Sequence, residues 1–191
     1  MVGIKVVFSK SNNMGKTSEF ESEQLIIGIM YVDNTAYNAA LKTLVEVFGE
    51  TDCISDEYSF SYFSHFYDNE MNGNVKKRLV SFVKTVPPTS LSSIKLFANH
   101  LEEELASDGK RTVNIDPCLL GHGKFVMATT KNASFRIPLT DGIYADLALV
   151  YAKQHWEHFY WTYFDIKSDF VKSFLEKVRD LYLKKRKGAS T

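Results

Sequence analysis

A chain of 191 residues, 45% hydrophobic and 24% charged, has the balance of one globular domain with a sizeable core, which excludes a disordered segment. Its 23 Lys and Arg are matched by 23 Asp and Glu, and the resulting zero net charge excludes a global basic field that would draw in nucleic acid or an anionic membrane. No apolar run approaches the roughly 18 residues of a membrane helix. Cys53 and Cys118 stand far apart in no metal-ligand spacing, so they read as reduced thiols of a cytoplasmic protein.

Residues 1–10 hold a short apolar run, Ile4 to Phe8, without a small-residue cleavage site, and make a poor secretory signal. Residues 11–24 are polar, so 1–24 is expected to form an N-terminal arm, followed by a single domain over 25–183 and a basic tail over 184–191. Residues 25–32 are an almost continuous apolar run of strand length. Asp33-Asn34-Thr35 offers N-caps for a helix over 36–48, whose apolar positions Ala40, Leu41, Leu44, Val45 and Phe48 recur at helical spacing until Gly49 stops it. Residues 58–63 alternate aromatic and small polar side chains, the pattern of a half-buried strand, and 77–86 form another strand ended by Pro87-Pro88.

Thr89 or Ser90 caps the next helix, with the stripe Leu91, Ile94, Phe97, Leu101 and Leu105, and 111–115 read as a short strand. This β-α-β-β-α-β order is the ferredoxin-like pattern, two helices on one face of an antiparallel sheet. Strands follow at 124–130, 134–138, 143–152 and 159–163, joined by turns such as Asp141-Gly142. An amphipathic helix over 168–183 carries Phe170, Val171, Phe174, Leu175, Val178 and Leu181, and Lys184-Lys185-Arg186-Lys187 reads as a frayed tail. The expected class is α+β: a ferredoxin-like first half, an antiparallel β second half and a C-terminal helix.

Several motifs suggest chemistry and also have plain structural readings. Gly15-Lys16-Thr17 after a strand-like run has part of a phosphate-binding loop, but Lys10 stands where the pattern needs glycine, and a flexible arm is the competing reading. His155-Trp156-Glu157-His158 lacks a third metal ligand, and on a strand its two histidines would face opposite ways, so a polar turn is expected. His65, His100 and His122 read as structural or turn residues, and Cys118 beside Pro117 has no neighbour in sequence that would lower its pKa.

The second half differs because polar side chains gather at strand ends. Asn114 and Asp116, two apart, would share a strand face. Thr129-Thr130-Lys131 closes the next strand with hydroxyls and a cation, and Arg136 in its apolar setting needs a carboxylate partner or an anionic ligand. Asp141, Asp146, Trp161, Thr162 and Asp165 complete the stretch. Such a set is either a structural ion network or a site for phosphate or metal chemistry.

Val113-Asn114-Ile115-Asp116-Pro117, Ala128-Thr129-Thr130-Lys131, Arg136-Ile137, Asp141-Gly142-Ile143-Tyr144-Ala145-Asp146 and Trp161-Thr162-Tyr163, in this order and spacing, resemble a family of small bacterial and archaeal proteins catalogued as domain of unknown function four-four-one-six. Tyr67, Asp68, Glu70-Met71, Ile94-Lys95-Leu96, Asn99 and Leu101-Glu102 extend the resemblance to roughly Leu25 through Leu183. The chain departs from the pattern at Cys118, where glycine is usual, at Phe135, where histidine is usual, and at Tyr160 and Phe164, where prolines are expected. Some members carry a loose GTP-binding label, and the resemblance implies no established reaction.

Three functional expectations follow. The first is a cleft lined by Asn114, Asp116, Lys124, Thr130, Lys131, Arg136, Asp141, Trp161 and Thr162 that holds a nucleotide or other phosphate ligand, with Asp116 and Asp141 as ligands for Mg²⁺. The second is a module without chemistry, whose aromatics at 58–66 and 156–163 bind a protein partner or a second copy. The third and weakest is RNA binding on aromatic platforms, disfavoured by zero net charge and the missing RNP consensus.

Overall fold

The computed structural model describes Gly15 and residues 17–188. Residues 1–14, which include the strand expected at 4–8, and Lys16 of Gly15-Lys16-Thr17 lie outside the described residues. Strand β1 (Glu23–Tyr31) leads into helix α1 (Asn34–Phe48), β2 (Thr51–Ile54), β3 (Tyr58–Ser59) and β4 (Lys76–Val86). A 3-10 turn at Pro88–Ser90 opens α2 (Leu91–Glu104), followed by β5 (Val113–Leu120), β6 (Lys124–Thr129), β7 (Ile137–Pro138), β8 (Tyr144–Ala152) and β9 (His155–His158). Helices α3 (Phe164–Lys167) and α4 (Asp169–Gly188) close the described chain. Gly49 ends α1 at φ 90°, a conformation that favours glycine, while its N–H reaches Val45 O at 2.9 Å.

The strands form one antiparallel sheet in the order β2-β4-β1-β5-β6-β8-β7, with β3 on β4 and β9 on β8. The segment β2-β4-β1-β5, crossed by α1 and α2, is the interleaved order of a ferredoxin-like unit. Alternate residues of β1 explain the layering. Leu25, Ile27, Ile29 and Tyr31 pack against Ala40 and Leu44 of α1 and Ile94, Ala98 and Leu101 of α2. On the other face, Ile26, Leu79, Phe125 and Trp156 pack against Phe174, Leu175 and Val178 of α4. With helices on both faces, all nine residues of β1 are buried, which is why its sequence from Leu25 onward is an almost continuous apolar run rather than an alternating one.

Several local expectations change. Only Tyr58–Ser59 of the expected 58–63 strand pairs. Beyond it Ser61 Oγ takes the Val75 N–H at 2.7 Å and bonds Asp68 Oδ1 at 2.5 Å, so local side-chain bonds replace a ladder. His155–His158, expected as a turn, is strand β9. The turn sits before it, at Lys153 and Gln154 with φ 49° and 66°, a two-residue hairpin that buries Trp156. Residues 159–163, expected as a strand, instead form a turn in which Thr162 Oγ1 accepts the Phe159 N–H at 2.9 Å and donates to Ala148 O at 2.6 Å. The expected 134–138 strand shrinks to Ile137–Pro138, because the Arg136 N–H turns back to Ala133 O at 3.0 Å.

Residues 184–188, expected as part of a frayed tail, are the last turn of α4. Lys185 Nζ bonds Gln24 Oε1 at 2.7 Å, Asp52 Oδ2 at 2.5 Å and Phe82 O at 3.0 Å, fastening the helix to three strands. Residues 23 and 24, expected in the arm, belong to β1. Urea denaturation of Lys185→Ala is therefore expected to show a loss of about 1–3 kcal/mol, whereas Lys187→Ala, on the exposed side of the same turn, changes stability by less than about 0.5 kcal/mol.

Candidate functional site

The site begins where the sheet divides. The β5–β6 ladder runs from Leu120↔Phe125 only to Cys118↔Met127, while β5 stays paired to β1 down to Val113. Beyond this fork, the Ile115 N–H and C=O have no strand partner on the β6 side. Two side chains of α2 replace it: Glu102 Oε1 accepts the Ile115 N–H at 2.6 Å, and Lys95 Nζ donates to Ile115 O at 2.8 Å. Pro117 has the same strand parity as Ile115, so its nitrogen faces the gap, where the missing N–H costs no ladder bond. The strand thus runs through Pro117, whereas sequence reading ended it at 115.

A cavity of about 550 Å³ occupies the gap, within the range of small-molecule sites. Asn114 and Asp116 of β5, Thr130 and Lys131 after β6, Lys95 and Glu102 of α2, and Arg111 form its polar side. Phe60, Phe63, Phe66, Tyr67, Tyr163 and Phe164 form its aromatic side. The polar groups are connected. Asn114 Nδ2 donates to Asp116 Oδ2 at 3.0 Å, Lys95 Nζ stands 3.5 Å from Asp116 Oδ1, and Arg111 donates to Asn114 Oδ1. Arg111 also pairs with Glu70 at 3.0 Å and Glu102 at 3.4 Å. Burial pushes the Glu102 carboxyl above its ordinary value, against the opposing pull of Lys95, the Ile115 N–H and Arg111.

The cavity also reaches a buried ion pair. Lys77 Nζ lies 2.7 Å from Asp165 Oδ2, their side chains 5% and 2% exposed, and Tyr58 Oη donates to the same oxygen at 3.0 Å. Burial disfavours the Lys77 ammonium, but Asp165, Tyr58 and Asp116 outweigh it and hold its pKa well above that of an ordinary lysine. Lys77 reaches the cavity by crossing Gly28 of β1: a Cβ at Gly28 would stand 2.9 Å from Lys77 Cε. Lys131 differs from the other cavity cations. Among the described residues no carboxylate comes within 4.0 Å of its ammonium, which stands 4.4 Å from the centre of the Phe66 ring and 5.9 Å from that of Tyr67.

The structure thus gathers Asn114, Asp116, Thr130 and Lys131 of the expected set at one cavity. Lys124 is at the far end of β6, paired with Glu23 at 3.0 Å. Arg136 stands behind the wall with the carboxylate its setting demanded, Asp146 at 2.9 Å, and it also donates to Lys131 O at 2.8 Å and Tyr163 Oη at 2.9 Å. It braces two lining residues without lining the cavity itself. Asp141 occupies an exposed turn at φ 56° outside the lining, so the two carboxylates expected to share Mg²⁺ do not meet. Among the described residues no group of three or more His, Cys, Asp or Glu is placed to hold a metal ion. Trp161 is stacked between Phe135 and Phe159 at 5.0 and 4.5 Å with its Nε1 donating to Leu147 O at 3.0 Å, and Thr162 is tied to Ala148 O; neither lines the cavity.

Sequence reading missed Lys77, Lys95, Glu102 and Arg111 as site residues. Lys95 and Glu102 did carry a signal: seven apart, two charges share the apolar face of α2 with Leu91, Ile94, Ala98 and Leu101. Lys77 carried none, because its approach depends on the strand pairing that sets it beside β1.

The fold and site together define an α+β protein with a ferredoxin-like unit and a half-aromatic, half-charged cavity at a fork in its sheet. A family model described as Domain of unknown function (DUF4416) matches residues 21–182, and the chain belongs to that family. No curated protein and no solved structure matches the chain.

The raised Glu102 carboxyl has a measurable consequence. The folded state holds that proton more tightly than the unfolded chain, so stability from this group is lost as pH rises above the ordinary glutamate value. Glu102→Gln, which keeps an oxygen acceptor for the Ile115 N–H, should remove this component. Urea denaturation from about pH 4 to about pH 7 is expected to show wild type losing stability relative to the variant as pH rises; a constant difference would refute a raised Glu102.

Proposed function

We propose that the fork cavity binds a nucleotide or a similar planar, phosphate-bearing ligand. Lys131 carries this reading. The other cations of the lining are matched to carboxylates, while Lys131 has its ammonium beside aromatic rings, with the Thr130 hydroxyl next to it in sequence. An anionic group of a ligand would complete the charge balance there, and charge-assisted bonds to phosphate are the strongest such a site can make. Phe63, Phe66, Tyr67 and Tyr163 offer faces for a planar ring system, and the half-buried Asn99 amide offers a donor and an acceptor for its edge.

Calorimetric titration with nucleoside monophosphates and with inorganic phosphate tests this reading. Binding is expected, with at least about tenfold loss on Lys131→Ala, the weight of a charge-assisted bond. Absence of binding by every probe, or a Lys131→Ala variant that binds like wild type, would overturn it.

A second reading rests on a different observation: Tyr62, Phe66, Tyr160 and Phe164 are 83%, 65%, 82% and 69% exposed. Large aromatics left in water are favoured at protein interfaces, and this set suits a second copy of the chain. Sedimentation velocity over a concentration series distinguishes the two. Self-association abolished by Tyr62→Ser with Tyr160→Ser supports the interface, and a monomer at the highest concentration refutes it.

A further inference from the structure

From the geometry of Lys77 we infer that its ammonium is a second ligand-binding group, and that the ligand presents to it an uncharged oxygen acceptor, as a nucleobase with a ring carbonyl does. This rests on the nucleotide reading above and specifies the class of base.

Three observations converge. First, Lys77 is delivered to the cavity by construction. It starts on β4, crosses the Cβ-less Gly28 of β1 and ends beside Asp165 in the lining. Second, the protein supplies its ammonium with fewer acceptors than it has donors. An ammonium has three N–H groups. Among the described residues its one hydrogen-bond acceptor is Asp165 Oδ2 at 2.7 Å, with the Phe60 ring 5.4 Å away. By contrast, Lys95 in the same cavity has both Ile115 O at 2.8 Å and Asp116 Oδ1 at 3.5 Å. A donor in so buried a place calls for an acceptor.

Third, charge selects the kind of acceptor. Lys77 is already neutralised by Asp165, and Asp116 and Glu102 answer Lys95 and Arg111. A second anion beside Lys77 would therefore add an unbalanced buried charge, which is costly, while a carbonyl oxygen uses the spare donors without one. Lys131 and Lys77 then have separate roles: an anionic group at the first, a neutral oxygen at the second. An exocyclic amino group in the place of the carbonyl would set donor against donor.

Calorimetry with matched pairs, IMP against AMP and UMP against CMP, tests this on wild type, Lys131→Ala and Lys77→Met with Asp165→Asn, methionine having no N–H to offer. The double variant removes both charges together, so no buried carboxylate is left uncompensated. The oxo member of at least one pair is expected to bind about tenfold more tightly to wild type, the weight of one hydrogen bond from a charged donor. That preference should persist in Lys131→Ala, where both members weaken together, and vanish in the double variant. A purely structural Lys77 would leave the ratio unchanged there. Equal binding within both pairs, or preference for the amino members, overturns this inference while leaving the nucleotide reading intact. Absence of binding by all four overturns the nucleotide reading and this inference together. If the double variant fails to fold, equal wild-type ratios still overturn the inference, and Gly28→Ala, whose added Cβ would stand 2.9 Å from Lys77 Cε and shift its ammonium, is expected to shrink the oxo preference; a ratio unchanged in it overturns the inference.

Discussion

A strand that leaves its neighbour inside a protein exposes backbone groups that must be satisfied elsewhere, and the fork between β5 and β6 depends on meeting that demand at Ile115. Two side chains from α2 do so, one accepting the N–H and one donating to the C=O. An unmet backbone group in such a place costs on the order of 1–3 kcal/mol, so Lys95 and Glu102 keep the gap open without destabilising the sheet. Pro117 complements them by having no N–H to satisfy on that side. The cavity is therefore a product of hydrogen-bond accounting, and two of the charges that line it, Lys95 and Glu102, answer the backbone.

That origin shapes the electrostatics. Lys95 and Glu102 bring charge into a buried region, and Asp116, Arg111, Asn114 and Glu70 extend the pairing outward until nearly every ion has a partner. Across the cavity, the 60–75 segment is anchored by Phe60, Met71 and Val75 packing on Met30, which sets Phe66 and Tyr67 over Lys131. Arg136, fixed by Asp146, holds Tyr163 and the Lys131 carbonyl in place from behind. The walls are fixed by interactions made outside the cavity.

The sequence carried the frame of this arrangement more clearly than its chemistry. The apolar run of β1, the stripes of α1, α2 and α4 and the ferredoxin-like order were all readable, because periodicity records which face is buried. The i, i+2 relation of Asn114 and Asp116 and the need of Arg136 for a carboxylate were readable for the same local reason. Lys77 beside Asp165 was not, since 88 residues separate them and the one lies on β4 while the other lies on α3. The hairpin before β9 was missed because Lys and Gln, residues with no preference for positive φ, occupy its turn. Lys124 and Asp141 were placed with the site because all strand ends look alike in a sequence; which end of the sheet each occupies is a property of the topology.

The brevity of β7 has a consequence for how the protein behaves in a crowd. The nine-stranded sheet that the described residues form must end somewhere, and an exposed end is a template onto which another chain can add its own backbone. Here that end is two residues long, and one of them is Pro138, which has no N–H to offer an incoming strand. Arg136, by turning the chain just before it, keeps the terminus too short to be extended. That turn is a backbone bond, from the Arg136 N–H to Ala133 O at 3.0 Å, so the short edge does not depend on the arginine side chain that steadies the cavity wall.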